Sequence, residues 1–511
     1  MSNDWRVRPR RRVRSAPLER PIIQLSEDFR QRVEELVGPR MAQPVLLAFR
    51  DGALPGTPEE FHALEAKLLE VARAEFVWRV LDHVVQAVHA EEEFVLWSMG
   101  AARRQAHLRV TKDRPVTLRM TGGETRIDSP YMAPCRPKGK PGTRRGTGRR
   151  GRGGGGLYPV LAALGFVKRV SPFVASEVAL SATRLCSYEE AADALKRQGI
   201  VLDPDTVRSV AGAVADAGLA DRENGGVADE DLAAERVVIC IDGGRVRCRK
   251  SKPGTRLPSG FHGYDTPWQE PKVLAAYSVD AQGEKTDLRP VYEGTLAPWK
   301  DSIDLFAATL RRHGIRDAGQ IAIAADGSEH IWRDVDRLID LAGLDRTKVV
   351  TFLDFYHAVE HLSDAAKLST RFSTDRSRET WLKQQAKRLK AGKAKKVIAA
   401  LEDLPTSDQG ATELASQVAY FRQRLHLLRY DEVRRKGFPI GTGAVESAIR
   451  RIVNLRLKSP GTFWRPENAE RMLYLRSRAK ARRWDEVERA MHHAALVPAR
   501  ELRPGILDQV A

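Results

Sequence analysis

The chain has 511 residues and a formal net charge of +18 at neutral pH, with 85 Lys and Arg against 67 Asp and Glu. That length leaves room for about two to four domains, and the charge points to a polyanionic partner, nucleic acid before an anionic membrane. No apolar run approaches the roughly 18 residues of a membrane-spanning helix, no hydrophobic signal core opens the chain, and the four cysteines (Cys135, Cys186, Cys240, Cys248) form no C-x-x-C pair, which speaks against a membrane protein, a disulfide frame or a Cys-rich zinc site and for a reducing compartment.

Residues 1–20 carry Arg6, Arg8, Arg10, Arg11, Arg12 and Arg14 among prolines with almost nothing to bury. That composition predicts a disordered basic arm, either tracking phosphates or merely solubilising. Residues 21–135 form a region of helices with short strands. From Pro58 to about Gln105 apolar residues recur at three- and four-residue intervals (Phe61, Leu64, Leu68, then Val77, Val80, Leu81, Val84), and residues 107–133 alternate like strands. Residues 136–156, RPKGKPGTRRGTGRRGRGGGG, are basic and glycine-rich. No strand precedes these glycines and no G-K-[ST] follows, so a nucleotide-binding loop is rejected. A linker whose Arg144, Arg145, Arg149 and Arg150 lie along a DNA backbone fits better than a plain linker.

Residues 157–222 read as helical. Ser187-x-x-Glu190 is a capping box, and Asp203 followed by Pro204 opens a second helix with the stripe Val207, Val210 and Val214. Two short helices with a tight connection suit either a helix-turn-helix or a plain αα-hairpin. Against DNA reading, the second helix offers only Arg208 to a phosphate or base. The polar stretch 222–235 looks like a domain boundary.

Five apolar residues, Val237 to Ile241, then predict a strand buried on both faces, ending in Asp242-Gly-Gly. Lys272–Asp280 and Thr286–Glu293 read as a hairpin about the turn at 281–284. A helix is expected over Asp301–His313. A second apolar strand, 320–325, ends in Asp326-Gly327, a helix follows over Ile331–Leu341, and a third strand ends in Asp354. Hairpin strands followed by β-α-β units make an α/β mixed sheet with helices against it. Residues 357–437 are helical and basic, and a helix beginning near Thr442 carries Glu446, Arg450 and Arg451.

Three acids converging on one sheet edge repel one another unless a divalent cation neutralises them. Hard oxygen ligands without Cys select Mg2+, with Mn2+ able to substitute. A pair of such ions activates a water or a 3′-hydroxyl at a phosphodiester. The bland alternative is a set of turn and cap acids scattered over the surface. His357 and His361 lie one helical turn apart, but H-A-V-E-H is not the H-E-x-x-H of a metalloprotease. Trp464 either stacks on a splayed base or packs in the core. Arg450, Arg451 and Lys458, with Arg456 between them, meet phosphates or form a solvated face.

The order strand-D-G-G, strand-A-D-G, D-F-Y-H, a long helical segment and G-T-G-A-V-E-S resembles the DDE transposases of bacterial insertion sequences, and most of all their mutator-like groups. The resemblance covers residues 236–480 well, while residues 60–230 fit the family's looser DNA-binding region. It implies a ribonuclease-H-like core over 236–356, an all-α insertion over 357–437 and core-completing C-terminal helices with a basic tail over 438–511. It implies that Asp242, Asp326 and Glu446 bind the metals, and that Asp354 and His357, matching a C/D-x-x-H motif, support the site. In that core the first strand is central, the fourth lies beside it and the fifth beyond. The implied activity is Mg2+-dependent cutting at terminal inverted repeats and joining of 3′-hydroxyls to target DNA, by a homo-oligomer on double-stranded DNA in a bacterial cytoplasm, with no membrane partner. A chemically silent DNA-binding descendant and a nuclease or resolvase on the same core are the competing readings. One departure is clear: many relatives carry a Cys-rich zinc ribbon before the core, and here that region holds only Cys135.

Overall fold

In a computed structural model the described residues run from 23 to 494, except 39–45, 47–48, 50–52, 72–73, 106–107, 135–155, 224, 226–228, 257–261 and 460. The basic arm and the linker arginines Arg144, Arg145, Arg149 and Arg150 lie outside them. The chain divides into two units: one ends at Asn224 and resumes at Trp484, and the other runs from Gly225 to Arg483.

In the first unit the helical spacing produces Pro58–Val71, Ala74–Ala90 and Glu92–Gln105, whose Phe61, Leu64, Leu68, Val77, Val80, Leu81 and Val84 are all buried. The alternating stretch forms the antiparallel pair Arg114–Met120 and Gly123–Ser129. Helices α1 (Tyr188–Arg197) and α2 (Pro204–Glu223) follow. Ser187 accepts the Glu190 N–H at 2.9 Å, and Asp203 accepts the Thr206 N–H at 2.8 Å, so both helices begin where their caps stand. Arg208 on α2 is exposed but paired with Asp205 at 2.9 Å, so its charge is already matched by its own helix.

The last described helix, Trp484–His493, corrects the expectation that all of 438–511 completes the sheet domain. It packs with α2 and the Pro58–Val71 helix instead. Its apolar stripe Val487, Ala490 and Met491 is buried, its Trp484 Nε1 donates to Ser176 Oγ at 2.9 Å, and Ser176 donates to Glu488 at 2.7 Å. Burying such a stripe stabilises by about 3–5 kcal/mol. A fragment of residues 1–230 should therefore melt well below one in which residues 484–505 are joined to it by a linker, as thermal denaturation would show; equal melting points would remove this helix from the unit.

The second unit is built on a five-stranded sheet: β1 (Arg236–Gly243), β2 (Lys272–Ser278), β3 (Val291–Thr295), β4 (Gln320–Ala325) and β5 (Val349–Leu353), in the order β3-β2-β1-β4-β5. β2 is antiparallel to β1 and β3, whereas β4 is parallel to β1 and β5. Odd-numbered residues of β1 and β4 (Val237, Ile239, Ile241; Ile321, Ile323, Ala325) join one apolar cluster with helices α3 (Trp299–Arg312) and α4 (Glu329–Ala342). The pleat turns the even-numbered residues to the other face. The expected hairpin is longer than its sequence suggests. Its turn is present, with Asp280 Oδ1 accepting the Gln282 and Glu284 N–H groups at 2.9 Å, but β3 starts only at Val291. Pro290, lacking an N–H, sits just before the strand and cannot donate to a ladder.

Residues 355–435 form five helices: α5 (Phe355–Leu368), α6 (Asp375–Lys390), α7 (Ala394–Glu402), α8 (Asp408–Gln423) and α9 (Tyr430–Arg435). Then α10 (Gly443–Ile449) packs on β1 and β2, a wide π-helical turn covers Arg450–Asn454, and α11 (Pro466–Lys480) packs on β3. Two buried polar contacts fix α11 there: Arg478 to Glu293 at 3.0 Å, and Glu470 accepting from the Leu296 N–H at 2.7 Å.

Candidate active site

The register of the sheet decides which acids meet. Ala325 pairs with Ile241 and Leu353 pairs with Ala325, so Asp242, Asp326 and Asp354 stand level at the ends of three successive strands. By parity Asp242 and Asp326 leave their strands on the face opposite α3 and α4, the face on which α10 carries Glu446. Neighbouring strands lie about 4.8 Å apart, so Asp326 is one spacing from Asp242 and Asp354 is two, roughly 10 Å.

Asp242 registers this company. Its pKa is pushed up to about 7, first by burial and then by the negative charges of Asp326, Glu446 and Glu270, against the Gly243 N–H, which donates to it at 2.6 Å. Glu270 was not among the sequence candidates. It follows a short strand in a polar stretch and ends no apolar run, so pattern alone gave no reason to select it. The structure lays its carboxylate against the backbone of Gly243, where a Cβ would meet Glu270 Oε1 at 2.3 Å. An open cleft joins Asp242, Arg245, Trp268, Glu270, Trp299 and Asp326. Glu446 is exposed and stands outside the residues that line it.

Asp354 does something different. It is 1% exposed and caps α5, accepting the His357 N–H at 2.6 Å through one oxygen. Its other oxygen accepts both the Thr442 N–H and the Thr442 hydroxyl, the latter at 2.7 Å. Its own N–H donates to Ala325 O at 2.9 Å. Asp354 thus holds the end of β4, which leads to Asp326, through its backbone N–H, and the turn that opens the helix of Glu446 through its carboxylate. His357 lies within 3.5 Å of Glu360, and its ring lies near His361, which stacks on Tyr420 with ring centroids 3.7 Å apart. Tyr420, on α8, covers the turn after Asp326: a Cβ on Gly327 would lie 2.3 Å from its hydroxyl. Arg424 clamps the same turn, its guanidinium donating to Gly327 O at 2.6 Å. Trp332 Nε1 donates to Asp326 O at 2.6 Å, and Ser328 N–H to Asp326 Oδ1 at 2.9 Å.

The basic and aromatic candidates separate. Arg450 and Lys458 are exposed. Arg451 is committed to the protein: it donates to Tyr292 Oη at 2.9 Å and lies over that ring. Arg456 is buried against Trp464. Trp464 takes the second of its two expected places, in the core, and not a base-stacking position. It is 6% exposed, its Nε1 donates to Leu457 O at 3.1 Å, and its backbone pairs with Arg247 and Arg249. Sequence leaves both places open to a tryptophan amid Pro, Gly and Arg, and the backbone bridge to Cys248 that holds it is a long-range contact.

Among the described residues no three His, Cys, Asp or Glu side chains are gathered closely enough to hold a metal ion as they stand. The donor chemistry nonetheless suits a hard divalent cation: three carboxylates bear on Asp242, whose carboxyl is held well above the usual carboxylate range. The raised pKa has a sign for stability. The penalty is absent below the unfolded value of 3.8, grows as pH rises towards about 7, and is complete above it. Asp242→Asn should therefore stabilise the cation-free protein at pH 8 by roughly 2 kcal/mol, discounted by about half for partial exposure. Thermal melts in EDTA check this, and added Mg2+ should raise the wild-type melting temperature more than that of the variant.

No family model and no curated protein matches the chain. Among solved structures, a chain of the Drosophila P element transposase strand transfer complex aligns at 12% identity and a TM-score of 0.23, over 66% of this chain and 84% of that one, a likeness too slight to carry any argument. No helix among the described residues is long and apolar enough to cross a membrane.

Proposed function

We propose that the protein is a DNA transposase of the acid-triad type, which cuts DNA at the ends of its element and joins the 3′-hydroxyls to a target. The observation that carries the reading is the level placement of Asp242 and Asp326 on adjacent strand ends, with the helix of Glu446 on the same face. Asp242, Asp326 and Glu446 would hold Mg2+ or Mn2+, with Glu270 beside them. A cation held by these residues would supply charge neutralisation for the acids and electrostatic activation and stabilisation of the phosphodiester oxygens. The chain's own part is to present carboxylate oxygens at fixed spacing, to hold the Asp326 turn under Tyr420 and Arg424, and to keep the Glu446 helix in place through Asp354. Further support comes from the strand order, three antiparallel strands then two parallel ones, followed by an all-α segment and an acid-bearing helix. That order suits the ribonuclease-H-like core that the sequence resemblance implies. The net charge of +18 suits a DNA substrate.

The test is incubation of the full chain and Mg2+ with DNA fragments taken from either side of its gene. Strand cuts at inverted repeats, and products joined to a second DNA, are expected. Cuts without joining would indicate the nuclease or resolvase, and end binding without cuts the silent descendant. Binding affinity should fall steeply as salt rises; equal affinity at low and high salt would count against phosphate contacts.

A further inference from the structure

The segment between β1 and β2, silent in the sequence reading, forms a basic, aromatic appendage. Residues 246–247 pair with 268–269, and 250–256 pair with 262–265. Along the first of these stretches burial alternates: Val246 and Cys248 are buried, whereas Arg245, Arg247 and Arg249 are exposed. One edge therefore presents three arginines in a row, and none of them has a carboxylate partner within ion-pair distance among the described residues. Two large aromatic rings stand with them. Trp268 is 47% exposed and Tyr264 42% exposed. The Arg247 guanidinium lies 4.8 Å from the Trp268 ring centre, that of Arg249 lies 4.6 Å from Tyr264, and Lys458 Nζ lies 5.9 Å from Trp268.

The appendage is not loosely hung. Trp464 N–H donates to Arg247 O at 3.0 Å and Arg249 N–H to Trp464 O at 2.7 Å, so the buried tryptophan is the post to which it is fixed. Trp268 lines the same cleft as Asp242 and Asp326. A flat ring half open to solvent and ringed by cations stands at the mouth of a carboxylate site. That combination suits a π-face carrying negative charge nearby, which is an unpaired nucleotide. A fully paired duplex offers its phosphates to the arginines but keeps its base faces stacked inside.

We propose that Trp268, flanked by Arg247 and Lys458, stacks an unpaired DNA base next to the phosphate presented to Asp242 and Asp326. This rests on the transposase reading and refines it: the strand end would be held splayed rather than paired at the site.

The experiment compares binding of the full chain, in EDTA so that no strand is cut, to a blunt DNA duplex and to the same duplex with a short single-stranded 3′ tail containing 2-aminopurine. The tail should improve wild-type affinity about tenfold and quench the 2-aminopurine fluorescence. In Trp268→Ala the ratio of tailed to blunt affinity should fall to about one with the quenching lost, while Trp268→Phe should keep most of both. Since Trp268 is half exposed, unchanged circular dichroism is expected of both variants. A tail preference that survives in Trp268→Ala, or a wild type that binds blunt and tailed duplexes equally, would overturn this inference and leave the functional reading standing. A wild type that binds neither would overturn both.

Discussion

Asp326→Asn should abolish Mg2+-dependent strand cutting, a loss of roughly a thousandfold or more, with Mn2+ unable to restore it. The side chain stands one strand spacing from Asp242 and contributes to the charge that raises the Asp242 pKa. Its one described structural duty is to accept the Ser328 N–H, which an asparagine oxygen can also do. The fold should therefore survive, with a melting temperature close to wild type, and end binding should persist. Glu446→Gln should behave alike, since Glu446 is exposed in the first turn of its helix and its side chain makes no hydrogen bond or ion pair among the described residues. Wild-type cutting by either folded variant would remove that acid from the site.

Asp354→Asn should do the reverse, costing stability first. The carboxylate accepts the His357 N–H on one oxygen and both Thr442 donors on the other. An asparagine must turn its amide NH2 towards one of those donor sets, leaving buried N–H groups facing a donor. About 2–4 kcal/mol should be lost, given the burial and the charge-assisted bonds. Chemical denaturation checks the figure, and the cutting assay on the fraction still folded should show residual activity. A folded, wholly inactive Asp354→Asn beside an active Asp326→Asn would reverse the two assignments.

Why these two acids could be told apart from sequence is a matter of periodicity. Val237–Ile241, 320–325 and 349–353 are apolar runs of strand length, each ended by an acid, and helical spacing between them leaves few ways to order a sheet. Spacing between strands then separates a neighbour from a next-but-one neighbour. What pattern could not supply were contacts made at long range by residues with no local signature. Glu270 follows a two-residue strand, and the appendage from 246 to 269 alternates only over its first few residues before Lys, Pro and Gly interrupt it, too short a run to single out. For the same reason sequence alone leaves two places open to Trp464, whose backbone bridge is to Cys248, more than 200 residues earlier. The helix Trp484–His493 has a clear amphipathic stripe, but a stripe does not name the surface it will cover, and this one covers the first unit.

The covering of the Gly327 turn has a consequence for how this chain can be altered or inherited. Tyr420 and Arg424 belong to the helical segment between β5 and α10, yet they hold the backbone that follows Asp326. That segment has the look of a detachable module, entering and leaving the sheet domain at neighbouring points, with Phe355 N–H bonded to Ile440 O at 3.0 Å. A descendant that shortened it to a simple loop would keep every acid of the site in its sequence and lose the clamp over one of them. On the proposed transposase function, the acids alone would therefore not tell which shortened copies keep the clamp that cutting requires.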